Sequence, residues 1–325
     1  RHGYYKQDDP LGALGDFITA PEISQMFGEL IGFFVVNLWQ QMQEPKPFTL
    51  LELGPGRGTL MADMLRVATR APGLAEGLDV RLFETNPDLL IQQKQRLAPY
   101  PARWLADFDE LGEGPLIVIA NEFFDALPIR QFVRGRNGWH ERMIGLENGN
   151  RVFGLSPTPL PNESMSPAIR GAAEGEVYEA NLAGVTLMNR LAGPVAARGG
   201  AILLVDYGYG ASQTGETLQA VRRHAYADPL EAPGECDISA HVDFGALGEA
   251  AAAAGLRVHP LADQGDFLVR LGIAERAKAL IAANPAHADA IRAQRERLTA
   301  PDQMGRLFKA FAATSPGLIP PGIVP

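Results

Sequence analysis

An apolar run that empties into alternating glycines, Leu50-Leu-Glu-Leu-Gly-Pro-Gly-Arg-Gly58, constrains this chain more than any other stretch. Phe48–Leu53 is apolar apart from Thr49 and Glu52, as a strand covered on both faces must be. Glycines at 54, 56 and 58 let the backbone turn sharply and come close to a ligand. Thr59–Ala68 then shows helical spacing through Leu60, Met61, Met64 and Leu65. Strand, glycine turn and helix in that order form the opening unit of an open α/β sheet, where ligands bind beyond the carboxyl ends of the strands.

The rhythm repeats. Asp79–Phe83, Arg103–Leu105, Pro115–Ala120 and Gly200–Asp206 predict further core strands, and Asn86 with Pro87 predicts a capped helix between two of them. Alternation of this kind implies a mostly parallel sheet with right-handed crossovers, a doubly wound, Rossmann-like α/β core. Ile129–Val133, Trp139–Leu146 and Arg151–Leu155 are separated by Asn-Gly turns at Asn137 and Asn148, which predicts an inserted antiparallel meander. Thr19-Ala-Pro-Glu22 reads as a capping box for a helix that carries Ile23, Phe27, Ile31, Phe34 and Leu38 on one face. Glu179–Arg198 reads as one long helix, and Ser239–Ala254 as a turn and an Ala-rich helix. Leu256–Pro260 and Phe267–Leu271 read as a terminal strand pair, and Ala274–Ala313 as broken helices. The expected organisation is an N-terminal loop and helix over 1–47, the core over 48–130 and 168–272, the meander over 131–167, and a C-terminal helical extension over 273–325.

Composition removes several function classes. The net charge is −9 and no Lys/Arg-dense run exists, so nucleic acid is not the expected partner. The longest apolar runs fall far short of the ~18–20 residues of a membrane span. Cys236 is the single cysteine, so no intramolecular disulfide forms, which fits a reducing compartment. Asp237, His241 and Asp243 have ligand-like spacing but no second cluster, so they read as a turn and helix start and no metal is expected. The first residue is Arg1, which leads us to expect a preceding segment.

Four clusters carry candidate chemistry. Glu52, Gly54, Pro55, Gly56 and Gly58 form a G-x-G-x-G turn behind a strand acid, and the dinucleotide fingerprint fails because position 59 is Thr. That suits a ligand with an amino-acid tail and no pyrophosphate; a tight turn without a ligand is the alternative. Glu84, ending the second strand, can accept from both hydroxyls of a ribose, or cap a helix. Asp107 can accept from an adenine amino group with Phe108 against the base, or serve as a plain turn. Asn121-Glu122-Phe-Phe-Asp125 puts an amide and two carboxylates at the mouth of an apolar strand, able to orient a cationic nucleophile or to form a helix N-cap set.

Together these resemble the pattern of class I methyltransferases. Gly15-Asp-Phe-Ile-Thr-Ala-Pro-Glu-Ile-Ser24, Leu51–Thr59, Ala120-Asn-Glu-Phe-Phe-Asp-Ala-Leu-Pro128, Val205-Asp-Tyr-Gly208 and His241-Val-Asp-Phe244 are similar to the MidA family over nearly the whole chain. The resemblance implies a class I methyltransferase fold, S-adenosylmethionine as cofactor, and a protein arginine as acceptor, in a family that includes a mitochondrial complex I assembly factor. It implies a protein partner (a complex I subunit or a second copy in a homodimer), in the cytoplasm of a bacterium or the mitochondrial matrix of a eukaryote. Glu122, Asp125, Asn121 and Asp16 are the expected catalytic residues. The common amino-methylating signature, two prolines and an aromatic after Asn or Asp, is replaced here by Asn121-Glu-Phe-Phe, which argues against base or glutamine methylation. A nicotinamide oxidoreductase and a non-catalytic assembly factor are the alternatives to be tested.

Overall fold

The computed structural model describes residues 19–222 and 225–324. The chain enters through α1 (Ala20–Ile23) and α2 (Gln25–Gln41). It then lays down β1 (Phe48–Leu53), α3 (Thr59–Ala68), α4 (Leu74–Gly77), β2 (Leu78–Phe83), α5 (Pro87–Arg96), β3 (Ala102–Trp104) and β4 (Leu116–Asn121). The meander follows as β5 (Arg130–Gly135), β6 (Gly138–Glu147) and β7 (Asn150–Leu155), and β8 (Val177–Ala180) pairs antiparallel with β5 to complete a separate sheet. The core resumes with α6 (Leu182–Arg198) and β9 (Gly200–Tyr209). A small sheet of β10 (Gln219–Arg222), β11 (Ala225–Ala227) and β12 (Asp237–Ser239) precedes β13 (Val242–Asp243) and α7 (Phe244–Ala253). Next come β14 (Arg257–Val258), β15 (Ala262–Asp263), α8 (Gln264–Arg270), α9 (Ile273–Ala283), α10 (Ala288–Thr299), α11 (Met304–Leu307) and β16 (Phe308–Thr314).

The main sheet runs β14-β16-β9-β4-β1-β2-β3, parallel from β9 to β3 and antiparallel at β16. β1 and β4 are buried at every residue because helices cover both faces. Leu50, Val80, Ile117 and Leu203 pack with Phe27, Phe34 and Leu38 of α2 on one face. Leu51, Leu53, Val118 and Leu204 pack with Leu191 of α6 and Phe244 of α7 on the other. Each such side chain contributes roughly 1.5–3 kcal/mol by leaving water. Glu29 of α2, also buried, takes Arg276 of α9 through two bonds of 2.6 and 2.8 Å and Arg66 of α3 at 3.0 Å. That network pins the later helices to the first one.

Four local readings change. Thr19 makes no side-chain cap; Glu22 reaches across to the Thr59 hydroxyl (2.5 Å), and Ser24 caps α2 instead, accepting from Met26 N. The helix expected from Glu179 begins at Leu182, with Asn181 accepting from Gly184 N, because Glu179 is spent as a buried strand acceptor for Gln131, Thr217 and Leu218. Phe267–Leu271 is no strand: Gln264–Arg270 is helical, and β14 pairs with β16. The stretch after 273 is therefore not wholly a helical extension, since Phe308–Thr314 returns to the core as β16. Its alanines favour helix in isolation, but seven consecutive pairings with β9 outweigh that preference.

Candidate active site

The carboxyl ends of β1, β2 and β4 open into one cavity of about 320 Å3, roofed by Thr19, Pro21 and Glu22 at the start of α1. On one side lies the glycine turn. Gly54, Gly56 and Gly58 all stand at positive φ (58°, 53° and 76°), a conformation that a side chain strains. A Cβ on Gly54 would meet Phe123 Cδ2 at 2.5 Å, so glycine here lets an aromatic ring close on the loop. Glu52 lies in the floor of the cavity, 2% exposed. Burial pushes its carboxyl up to about 8, against the pull of the Met61 amide, and Oε2 has no protein partner.

Glu84 lines the same cavity and accepts from Thr85 N (2.7 Å) and Asn86 N (2.8 Å). Burial raises its carboxyl too. Gln93 on α5 joins the pieces: its amide donates to Gly56 O (2.7 Å) and to Glu84 Oε2 (3.1 Å), while its oxygen accepts from Trp104 Nε1 (2.7 Å). One fully buried side chain thus holds the glycine turn and the ribose-type acid within reach of a single ligand. Sequence reasoning missed Gln93 because its three partners lie on three other elements.

Across the cavity, β4 ends in Asn121 and Glu122. Glu122 adopts φ 50°, a left-handed conformation that costs about 1–3 kcal/mol in a residue with a side chain. Its Oε1 accepts from Ala20 N and from Asn121 Nδ2, both at 3.0 Å. Burial first, then the neighbouring Asp125, push its carboxyl up to about 7. Asp125 does not line this cavity. It stands behind, 8% exposed, with a hydrogen bond from the Tyr207 hydroxyl and with Oδ1 unpartnered, and burial raises it to about 6. Asp206, at the end of β9, accepts from the amides of Phe123, Phe124 and Asp125 through Oδ2 and from Tyr207 N through Oδ1. It is the strut of the acidic loop, and burial beside Asp125 and Glu122 pushes its carboxyl well up. In the sequence reading Asp206 is a strand end and part of the Val205-Asp-Tyr-Gly208 stretch, with no role of its own.

Most of the expected residues meet here: Glu52, Gly54, Pro55, Gly56, Glu84, Asn121 and Glu122 all line the cavity. Gly58 sits behind the turn against Gln93. Asp107 stands outside, exposed, bonded to Arg190 at 2.6 Å and to Asp109 N. Phe108 is one ring removed, packed 4.6 Å from Phe83, which itself lines the cavity. Asp16 lies outside the described residues. Asp243 caps α7 through Ala246 N, and no cluster of metal-ligating side chains occurs among the described residues. No helix among them is long and apolar enough to cross a membrane.

The chemistry fits a methionine-plus-nucleoside ligand. Glu52, with an unpartnered buried carboxyl oxygen, lines the cavity beside the glycine turn, a second acid follows β2, and Phe83 and Leu89 supply an apolar wall. The chain is similar to known proteins in the same sense. The sequence pattern of a family of S-adenosyl-L-methionine-dependent methyltransferases matches residues 30–262. Proteins named protein arginine methyltransferase NDUFAF7, mitochondrial, are 35% identical in Danio rerio (95% of this chain, 79% of the relative) and 33% identical in Homo sapiens (95% and 76%). A solved structure of a Burkholderia thailandensis protein bound to S-adenosyl-homocysteine superposes with a TM-score of 0.83 at 27% identity, over 100% of this chain and 85% of that one.

Proposed function

Because this chain belongs to that family of S-adenosyl-L-methionine-dependent methyltransferases, we propose that its cavity passes the methyl group to an arginine side chain of a protein. The observation that carries the acceptor is Glu122, a carboxylate held in a strained backbone position by two donors and lining the same cavity as the glycine turn. Family membership also sets aside the nicotinamide alternative.

When bound, S-adenosylmethionine supplies a methyl group on a sulfonium, and the protein's work is positioning and exclusion of water. Glu52 and the turn from Gly54 through Pro55 and Gly56 to Gly58 hold the amino-acid tail. Glu84 accepts from the ribose hydroxyls, and Phe83 lies against the base with Phe108 backing it. An arginine arrives charged, since its pKa exceeds 12. Glu122 pairs with the guanidinium, draws charge from the attacking nitrogen and takes the proton as the new bond forms. A carboxyl near neutrality suits that task. Asn121 fixes the Glu122 rotamer, Asp125 keeps negative charge behind it, and Asp16 is a further candidate for the guanidinium.

Calorimetry with S-adenosylmethionine and its demethylated product tests the cofactor pocket, and absence of affinity for both would remove it. Incubation of lysate protein with radiolabelled donor, followed by mass spectrometry, tests the acceptor. Label on residues other than arginine would end that half of the reading, and no label at all would favour a non-catalytic assembly factor. The relatives are named mitochondrial, and the proposal extends to a respiratory complex I subunit as acceptor, in the matrix of a eukaryote or the cytoplasm of a bacterium. A homodimer is the proposed assembly, open to sedimentation.

A further inference from the structure

A second cavity of about 330 Å3 adjoins the first, and Ala126 and Leu127 line both. One wall is the meander. Ile144 pairs with Phe153 and Arg142 with Leu155, so alternation sets these four side chains on one face. Ile144 is 62% exposed, Phe153 43% and Leu155 53%, a stretch of apolar surface of the kind that marks an interaction site. Ile238 of β12 stands on the opposite wall. The two arginines in this groove are already matched, Arg130 by Glu141 and Arg142 by Glu216 and Gln131. Asp125 lines it with one carboxylate oxygen that no protein donor meets. Apolar walls, neutralised fixed cations and one unsatisfied buried acid select an occupant that is apolar in part and cationic at one point.

We propose that this groove holds an extended segment of the acceptor polypeptide, and that Asp125 receives a second basic side chain from that segment while the target arginine enters the adjoining cavity. The proposal rests on the methyltransferase reading above and adds a sequence preference to it. Continuity through Ala126 and Leu127 favours the substrate over other occupants, since a chain lying in the groove runs directly past the reacting end.

The test uses synthetic peptides with one central arginine and a second arginine placed at successive distances from it, titrated onto protein saturated with S-adenosyl-homocysteine. At one spacing the second arginine tightens binding by about tenfold, the size of one charge-assisted contact. Asp125→Asn abolishes that difference. If that variant fails to fold, Ile144→Glu and Phe153→Glu, both at exposed sites, weaken every peptide while leaving S-adenosyl-homocysteine affinity unchanged. Indifference of binding to the second arginine, or no peptide binding at all, overturns the groove. Loss of a dimer on Ile144→Glu with peptide affinity unchanged would assign the face to a second copy and overturn it equally. Failure of S-adenosyl-homocysteine to bind would instead sink the function reading beneath it.

Discussion

The two sides of the main cavity spend their acids in different ways. On the glycine-turn side, Glu84 is bonded to two amides and to Gln93, and the turn is locked to it through Gly56. On the β4 side, Glu122, Asp125 and Asp206 have carboxyls raised first by burial and then by neighbouring acids, Asp237 in the case of Asp125, and Asp125 keeps an oxygen unmet. A wired pocket is built for a ligand that never changes. A crowded one holds its protons more tightly, and an arriving cation favours their release. The contrast is one of degree: Glu84 is held by three donors, Glu52 and Asp125 each keep an oxygen for an incoming group, and only the β4 side sets several buried acids beside one another.

The largest test of this contrast is Glu122→Gln. It should lower the rate of methyl transfer by roughly a hundredfold or more, the scale of a lost general base, while S-adenosyl-homocysteine affinity by calorimetry changes little. Equal losses in both would dissolve the division. Gly54→Ala attacks the other side: its Cβ collides with Phe123 and its φ is left-handed, so donor-product affinity should fall by about tenfold or more.

Stability against pH compares the sides directly. Glu52, Glu122 and Asp125 have carboxyls raised in the folded state, to about 8, 7 and 6. The folded protein therefore binds more protons than the unfolded chain. Stability is full below about 4.5, the ordinary value, and declines as pH climbs to about 8, by on the order of a few kcal/mol. Transfer, needing ionised Glu122, rises through about 7 over the same interval. A Tm that climbs with pH there would contradict both assignments. Gln93→Leu should cost about 1–3 kcal/mol by thermal melting, since it strands Gly56 O and Trp104 Nε1, with a matching loss of donor affinity. Asp107→Asn is the smallest change, with Tm and donor affinity both essentially unaltered, as befits an exposed ion pair. A tenfold loss there would return Asp107 to the adenine.

How far the sequence could be read followed the range of the interactions. β1, β4 and the helix after Gly58 were legible because burial on both faces and helical spacing are local signals. The Asn-Gly turns placed the meander for the same reason. β8 was not legible: Glu179 looks helical until its donors, the amides of Thr217 and Leu218, are brought from another part of the chain. β16 hid behind Ala310, Ala312 and Ala313, residues of high helix propensity whose neighbour β9 alone makes them a strand. In the site, the glycines and strand-end acids announced themselves, while Gln93 and Asp206 act through partners on other elements that only the fold brings beside them.

β16 has a consequence for biosynthesis. It zips onto β9 from Phe308 opposite Tyr207 to Thr314 opposite Ala201, after a detour of roughly a hundred residues whose closure must precede any reward from the pairing. A chain emerging from the ribosome therefore carries β9, and Asp206 within it, with most of one flank bare until residues 308–314 have been made. During that wait the strand is a sticky ledge for chaperones or for neighbouring nascent chains. The sheet edge beside Asp206 is thus finished only by residues made roughly a hundred positions after it.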